Sequence, residues 1–201
     1  MTETIEPSPP TELRADELLL RPWRPDSTSD AEAVLRGFTD PEFRRWNTPN
    51  KPVDTLADAQ GMLQRQAERQ GRGEQASFCV ADASSGTVLG HISLNSIQPH
   101  IRTANVGYWV LPEARGRRVA ARALELVSGW GFGTAGPGLH RIELDHAVGH
   151  DLSCRVAERC GYLYEGTLRG ASPASGNGDA FRDAHLHARL ATDPWPAQPG
   201  A

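Results

Sequence analysis

Three arginines at a predicted strand-to-helix junction are the strongest chemical signal in the sequence. Arg115, Arg117 and Arg118 follow an alternating apolar run, residues 104–111, and lead into an amphipathic stretch that begins near residue 117. The first turn of a helix has free N–H groups and a positive dipole end, so cations there are unfavourable unless an anion lies among them. The pattern indicates an anion site, with phosphate as its natural ligand. The alternative is a solvated arginine cluster.

Candidate proton-transfer groups lie on either side of this segment. Asp145 and His146 end a predicted strand, residues 141–147, and Glu113 precedes the arginines. An imidazole titrates near neutral pH, which suits a general base. His146 also alternates with the apolar residues of its strand, so a buried, neutral and purely structural histidine is an equal alternative.

The spacing of histidines and cysteines does not predict a metal site. His146 and His150 are four residues apart, but they lie on a strand and a loop and therefore do not share a helix face. His185 and His187 share one face of the last strand, which we interpret as the polar side of an edge strand. The cysteines form no CxxC pair: Cys79, Cys154 and Cys160. We expect reduced thiols and no bound metal.

Hydrophobic periodicity predicts one mixed α/β domain over residues 13–191, with a flexible tail at 1–12 and a Pro-rich tail at 192–201. The predicted element order is β-α-α-β-β-β-α-β-α-β-β, which gives a mixed α/β or α+β sheet with helices on both faces. The predicted strands cover residues 13–23, 75–82, 87–97, 104–111, 141–147, 162–169 and 180–190. The predicted helices follow Ser27–Ser29 and Asp54–Thr55, and span about 117–131 and 151–161, the last with Asp151 as its N-cap.

Composition excludes several classes of function. The chain has 201 residues, a net charge of −4 and 38% hydrophobic residues, which fits a globular protein and argues against general nucleic-acid binding. No apolar run is long enough to span a membrane, and the acidic, Pro-rich N-terminus is unlike a signal peptide. We expect a cytoplasmic protein with no membrane partner.

Three segments carry a resemblance to a known family: GYWVLPEARGRRVAARAL, HRIELDHAVGHDLSCRVAERCGY and EGTLRG. Together with the element order from about Leu13 to Leu190, they resemble the GNAT acyltransferase superfamily, and within it the branch of ribosomal-protein N-terminal (alanine/serine) acetyltransferases. The resemblance implies the GNAT fold, with a mostly antiparallel sheet and one splayed parallel strand pair. It also implies acetyl-CoA as cosubstrate and a primary amine as acceptor, either a protein N-terminus or a small molecule.

The resemblance assigns the coenzyme-binding residues. The family motif Arg/Gln-x-x-Gly-x-Gly/Ala falls on residues 115–120, and the family's glycine is replaced here by Arg118. If this side chain projects away from the ligand, the amide still binds phosphate; if it projects inward, coenzyme binding is weakened. His150 stands where the branch usually has Asn. The implied coenzyme contacts are Val110, Leu111, Arg115, Gly116, Arg117, Arg118, Val119, Ala120, His150 and Ser153.

Residues for chemistry follow from the same resemblance. Ser153 occupies the position from which a hydroxyl could protonate the departing CoA sulfur, or it could merely cap its helix. Asp145 and His146 are candidate bases, although a water chain or a neutral amine would make a base unnecessary. The acceptor contacts are expected at Trp46, Asn95 and Trp109, where core packing is the alternative for the tryptophans.

Two further functions remain open at this level. The substituted Arg118 and His150 are compatible with a catalytically inactive CoA-binding sensor or interaction module. A transferase that uses a longer donor such as succinyl-CoA is also compatible. The sequence favours neither a monomer nor a homodimer.

The motif generates a direct prediction about coenzyme binding. Gly116→Asp and Ala120→Glu should each abolish CoA binding, because both place bulk and negative charge where the pyrophosphate is expected. Calorimetric titration with CoA and acetyl-CoA measures this, and unchanged affinity in either variant would contradict the assigned phosphate loop.

Overall fold

A computed structural model describes residues 12–49, 51–174 and 177–196. The eight strands are β1 Leu13–Ala15, β2 Leu18–Pro22, β3 Ala76–Asp82, β4 Val88–Gln98, β5 Thr103–Val110, β6 Arg141–Ala147, β7 Leu163–Ala174 and β8 Asn177–Leu190. The helices are α1 Thr28–Thr39, α2 Pro41–Trp46, α3 Leu56–Gly71, α4 Val119–Phe132 and α5 Asp151–Arg159. A 3-10 turn, Pro112–Ala114, joins β5 to the loop before α4. Most of the two predicted tails lies outside the described residues.

All eight strands form one sheet in the order β1-β2-β3-β4-β5-β6-β8-β7. Every neighbouring pair is antiparallel except β5 and β6, which run parallel. The parallel pair is in register only from Thr103 opposite Arg141 to Asn105 opposite Glu143. Beyond that point the two strands part, although β5 continues to Val110 and β6 to Ala147. The predicted fold, a mostly antiparallel sheet with one splayed parallel pair, is confirmed.

Helices cover both faces of the sheet, as the sequence predicts. Val106, Tyr108 and Val110 of β5 pack on the face covered by α4, whereas Trp109 and Leu111 belong to the core formed with α1 and α3. This separation follows from the two-residue period of a strand, which sends alternate side chains to opposite faces. No helix of the described residues is long and apolar enough to cross a membrane.

The first predicted strand, residues 13–23, is wrong in detail. It is divided into the hairpin of β1 and β2, in which Ala15 pairs with Leu18. The turn includes Asp16 with a φ of 48°. Aspartate tolerates this left-handed conformation better than most side chains do, which allows the chain to reverse at this point.

A register shift on β4 moves two residues, Val88 and Leu89, to the faces opposite those that strict alternation gives. Val80 of β3 pairs with Gly90 and Ala81 pairs with Val88, so Leu89 is an extra residue. Leu89 therefore joins Ile92 in the α4 core, while Val88 packs on the opposite side. Strict alternation places Val88 and Ile92 together, and it fails because a bulge resets the period.

The last hairpin is longer than predicted, and its two strands follow β6 in the sheet in the order β8, β7, the reverse of their order in the chain. Strands β7 and β8 extend to Ala174 and from Asn177, beyond the predicted limits of residues 169 and 180. Because β8 lies between β6 and β7, it is an interior strand, and the edge position belongs to β7. The prediction that His185 and His187 lie on an edge strand is therefore wrong.

Two predicted helix starts also shift. Helix α4 begins at Val119 rather than 117, because Arg118 adopts a left-handed conformation and serves as the N-cap. His150, not Asp151, is the N-cap of α5, and its side chain makes no capping hydrogen bond. Asp151 lies instead in the first turn, where a carboxylate interacts favourably with the helix dipole.

Candidate active site

A pocket of ≈ 430 Å³ lies against the end of β5 and the first turns of α4 and α5, with α2 opposite. It occupies the region beyond the parallel β5–β6 pairing, where β5 has no partner strand on that side among the described residues. Its lining includes ten residues that the sequence assigns to coenzyme, acceptor or catalysis: Trp46, Trp109, Val110, Arg115, Gly116, Arg118, Val119, Ala120, His150 and Ser153.

Five predicted site residues do not line this pocket. Leu111 is fully buried, and its amide donates to the Leu89 carbonyl at 2.9 Å, so that N–H is not free for a coenzyme. Arg117 is exposed outside the pocket lining. Asn95 donates to Ser93 Oγ at 2.9 Å in a hydrogen-bond chain that also contains His91.

The two candidate bases are also outside the pocket. Asp145 is exposed, on the sheet face opposite that of His146. His146 is buried beside His150, with 6.0 Å between their ring centroids. Burial lowers the pKa of His146, and neighbouring His187 and His185 lower it further. The ring is therefore neutral at pH 7, but it could reach an acceptor amine only through His150 or water.

The loop before α4 has the backbone geometry of an anion site. Gly116 has a φ of 76° and Arg118 a φ of 58°. The Arg122 amide donates to the Arg118 carbonyl at 3.1 Å, so the amides of residues 119–121 precede the backbone hydrogen bonds of α4. These amides point out of the helix start, beside the pocket. The position that the family fills with glycine thus requires a left-handed backbone, which explains the glycine.

The three arginines of this loop have different surroundings. Arg115 pairs with Asp40, the N-cap of α2, and its Nε donates to the Val110 carbonyl at 3.2 Å. Arg115 therefore ties the loop to α2 and to the end of β5. Arg117 and Arg118 form no ion pair within the described residues, so their charges remain available to an anion.

A hydroxyl pair occupies the floor of the pocket. Ser153 Oγ lies 2.9 Å from the phenolic oxygen of Tyr108, and both residues line the pocket. Burial raises the pKa of Tyr108 to about 12, although its hydrogen bond to Ser153 acts in the opposite direction. The phenol therefore keeps its proton at neutral pH and can supply it through Ser153. Ser153 is not the N-cap of α5, which removes its proposed capping role.

Aromatic rings form the wall opposite this pair. The His150 ring stacks on Trp46, with 4.8 Å between centroids and 5° between planes. The Trp46 indole donates to Glu42 Oε1 at 2.7 Å. Burial lowers the pKa of His150 to about 4, and the nearby His146 contributes in the same direction. The stacked ring is therefore neutral at pH 7.

Comparison with known proteins decides the family. The acetyltransferase (GNAT) domain matches residues 17–163, which is most of the chain. The chain belongs to the GNAT acetyltransferases. As a GNAT protein it is an acyltransferase, and the resemblance identified in the sequence is confirmed.

The GNAT relatives span nearly the whole chain. The ribosomal-protein-serine acetyltransferase of Escherichia coli K12 is 27% identical over 191 residues, which cover 94% of this chain and 98% of that protein. A structure of the ribosomal L7/L12 alpha-N-protein acetyltransferase RimL in complex with coenzyme A has a TM-score of 0.78 at 20% identity, covering 90% of this chain and 98% of the other. The microcin C7 self-immunity acetyltransferase MccE, in complex with acetyl-CoA and AMP, has a TM-score of 0.76 at 19% identity, covering 88% and 93%.

The sequence does not predict several of the residues that line the pocket of this GNAT domain. Tyr108 is assigned to the core by alternation, although its hydroxyl reaches the pocket. Leu152, Arg155 and Arg159 also line the pocket. Leu152 is 61% exposed. The only sequence signal for the two arginines is their four-residue spacing, which places them on one face of α5.

Arg118 supplies a prediction that separates backbone strain from charge. A left-handed conformation costs a non-glycine residue about 1 kcal/mol. Arg118→Gly should therefore raise the free energy of unfolding by roughly 0.5 kcal/mol, since the freedom of glycine in the unfolded chain offsets part of the gain. It should also lower CoA affinity by removing one cation from the phosphate loop. Denaturant titration and calorimetry measure the two effects.

Arg118→Asn is the matched control, because asparagine tolerates the left-handed conformation and also lacks the charge. Both variants should lose affinity, and the loss should shrink as salt is added. Higher affinity in the glycine variant would show instead that the Arg118 side chain obstructs the coenzyme. Gly116→Asn is the corresponding control for the charge introduced by Gly116→Asp.

Proposed function

We propose that this GNAT enzyme transfers the acetyl group of acetyl-CoA to the α-amine of a peptide or protein N-terminus. The observation that carries the proposal is the Tyr108–Ser153 hydroxyl pair at 2.9 Å, in a pocket that also includes the start of α4. The pocket thus combines an anion-binding helix start with a proton donor. Coenzyme phosphates and a departing thiolate need these two features.

Three sets of groups bind the coenzyme in this proposal: backbone amides of α4, arginine side chains and backbone groups of β5. The amides at the start of α4 hold the pyrophosphate, with Arg117 and Arg118 adding charge. The unpaired side of β5 offers backbone groups to the pantetheine arm, because β6 leaves it after Asn105. Such groups also hydrogen-bond the thioester oxygen as negative charge develops on it.

The reaction proceeds by direct attack. The neutral amine nitrogen forms a bond to the thioester carbonyl carbon, which gives a tetrahedral intermediate. The C–S bond then breaks, the sulfur takes a proton from Ser153, Ser153 regains one from Tyr108, and Tyr108 is reprotonated by water. The amine proton leaves to water, so that amide and free CoA are formed.

Support for a peptide acceptor comes from the wall of the pocket. Trp46, His150 and Trp109 offer flat apolar surfaces, and Glu42 places a carboxylate beside them. A carboxylate attracts the ammonium form of an approaching N-terminus. The aromatic faces then pack against the side chain of the first residue of the peptide. The Escherichia coli relative, at 27% identity over nearly its whole length, is named for transfer to a ribosomal protein.

A peptide panel tests the acceptor and donor together. We expect thiol release with peptides that begin with Ser or Ala, and much less with small amines or with the same peptides blocked at the N-terminus. Acetyl-CoA should be a better donor than succinyl-CoA. Tight CoA binding without transfer to any amine would favour the inactive sensor.

Ser153→Ala supplies the mechanistic prediction. Loss of a general acid typically costs 10²–10⁴-fold in rate, so turnover should fall by roughly 100-fold or more while the Kd for CoA stays within about 2-fold. Steady-state kinetics and calorimetry separate the two. Ser29→Ala, an exposed serine in the first turn of α1, is the matched control and should leave both unchanged. Equal loss of turnover and affinity would overturn the assigned role.

A further inference from the structure

Three histidines and a cysteine meet on the α5 side of the sheet, behind the pocket wall. We call His146, Cys154, His185 and His187 the His–Cys cluster. Each residue offers one potential ligand atom, and these four atoms all lie within 4.8 Å of one another. The residues come from three elements, β6, α5 and β8, and His146 is directly opposite His185 in the antiparallel register. The fold, rather than a local motif, assembles the cluster.

The imidazole nitrogens of the cluster are buried and largely unsatisfied. His187 has no exposed surface, and its ring nitrogens make no well-formed hydrogen bond within the described residues, although the ring does interact with a backbone group of Tyr162. Nε2 of His146 is likewise buried without a partner. Buried polar atoms are paired in the great majority of cases, so several nitrogens without a protein partner in one place are available to a shared ligand.

The fourth member contributes sulfur at a suitable distance. Cys154 Sγ lies 3.3 Å from Nδ1 of His185. Two ligand atoms bound to one tetrahedral zinc ion, with a Zn–S bond of about 2.3 Å and a Zn–N bond of about 2.0 Å, lie about 3.5 Å apart. One edge of a coordination tetrahedron is therefore already present, and modest side-chain rotations would close the remainder.

His146 also has the outer contact that metal-bound histidines usually make. Its Nδ1 lies 3.1 Å from the carbonyl oxygen of Ala147, to which it can donate. A histidine that donates one N–H to a backbone carbonyl presents the lone pair of its other nitrogen to a metal. That other nitrogen is Nε2, which is buried without a hydrogen-bond partner among the described residues.

We propose that the His–Cys cluster is a tetrahedral binding site for a divalent transition-metal ion, best matched by Zn²⁺. Three imidazoles and one thiolate are borderline and soft donors, which favour zinc and disfavour magnesium and calcium. On binding, the Cys154 thiol releases its proton to solvent and its sulfur bonds to the metal, without any oxidation or reduction. Since four protein ligands complete the tetrahedron, the ion has a structural role.

The ion links α5 to β6 and β8 at one point. Cys154 follows Ser153 in the chain, so a metal at this site would fix the helix turn that carries Ser153 to the pocket. The proposal does not depend on the acetyl-transfer function, because metal binding is measured without a donor or acceptor.

The test uses the full chain after removal of metal with a chelator. We expect ZnCl₂ to bind with a stoichiometry of one in calorimetry and to raise the melting temperature. Co²⁺ should give the intense visible absorption of a tetrahedral site and a thiolate-to-cobalt charge-transfer band. Absence of binding, or a Co²⁺ spectrum typical of an octahedral aquo ion, would overturn the proposal.

Cys154→Ser and His185→Asn are the informative variants, because both side chains are only partly buried and the metal-free proteins should melt as the wild type does. Cys154→Ser should lose the charge-transfer band, and each variant should weaken Zn²⁺ binding more than about 100-fold. His100→Asn, an exposed histidine outside the cluster, is the matched control and should bind zinc normally. Equal zinc affinity in all three variants would show that the metal binds elsewhere and would refute the site.

Discussion

The parting of β5 and β6 is the constraint on which the rest of this structure depends. Parallel strands that stayed paired would satisfy each other's backbone groups and leave no room between them. Here pairing stops after Asn105 and Glu143, so the last five residues of β5 have a free side. The pocket lies along that free side. A donor with a long polar arm can therefore be bound by backbone as well as by side chains.

The loop before α4, which we predict to bind phosphate, is held in place by contacts that reach across the pocket. Arg115 joins it to Asp40 at the start of α2 and to the Val110 carbonyl at the end of β5. Arg36 of α1 pairs with Glu113 just before the loop. The first of these links ties α2, with its Trp46 wall, to the loop before α4, and the second ties α1 to the same segment. Of the three arginines that suggest phosphate binding, Arg115 is therefore already paired with a carboxylate of the protein.

The same packing places histidines at two proposed sites in this half of the sheet, the pocket wall and the His–Cys cluster. His150, stacked on Trp46, forms the wall of the pocket, and His146 lies behind it at the edge of the His–Cys cluster. The neutral state of both rings follows from burial. The proposed acceptor site and the proposed metal site would thus be neighbours: His150 faces Trp46 at the pocket on one side and His146 of the His–Cys cluster on the other.

The sequence by itself determined the family through contiguous motifs, and the mixed sheet with helices on both faces through local periodicity. The phosphate site at residues 115–120 stays a prediction. Ten of the residues predicted for the site line the pocket, and their roles stay predictions. Only the tertiary structure decided that Leu89 changes face, that Arg115 pairs with Asp40, that Tyr108 reaches Ser153 and that β8 lies inside β7. Each of these depends on a strand register or a contact between distant segments, which periodicity does not encode. The meeting of His146, Cys154, His185 and His187 is of this second kind, since three separate elements must pack before it exists.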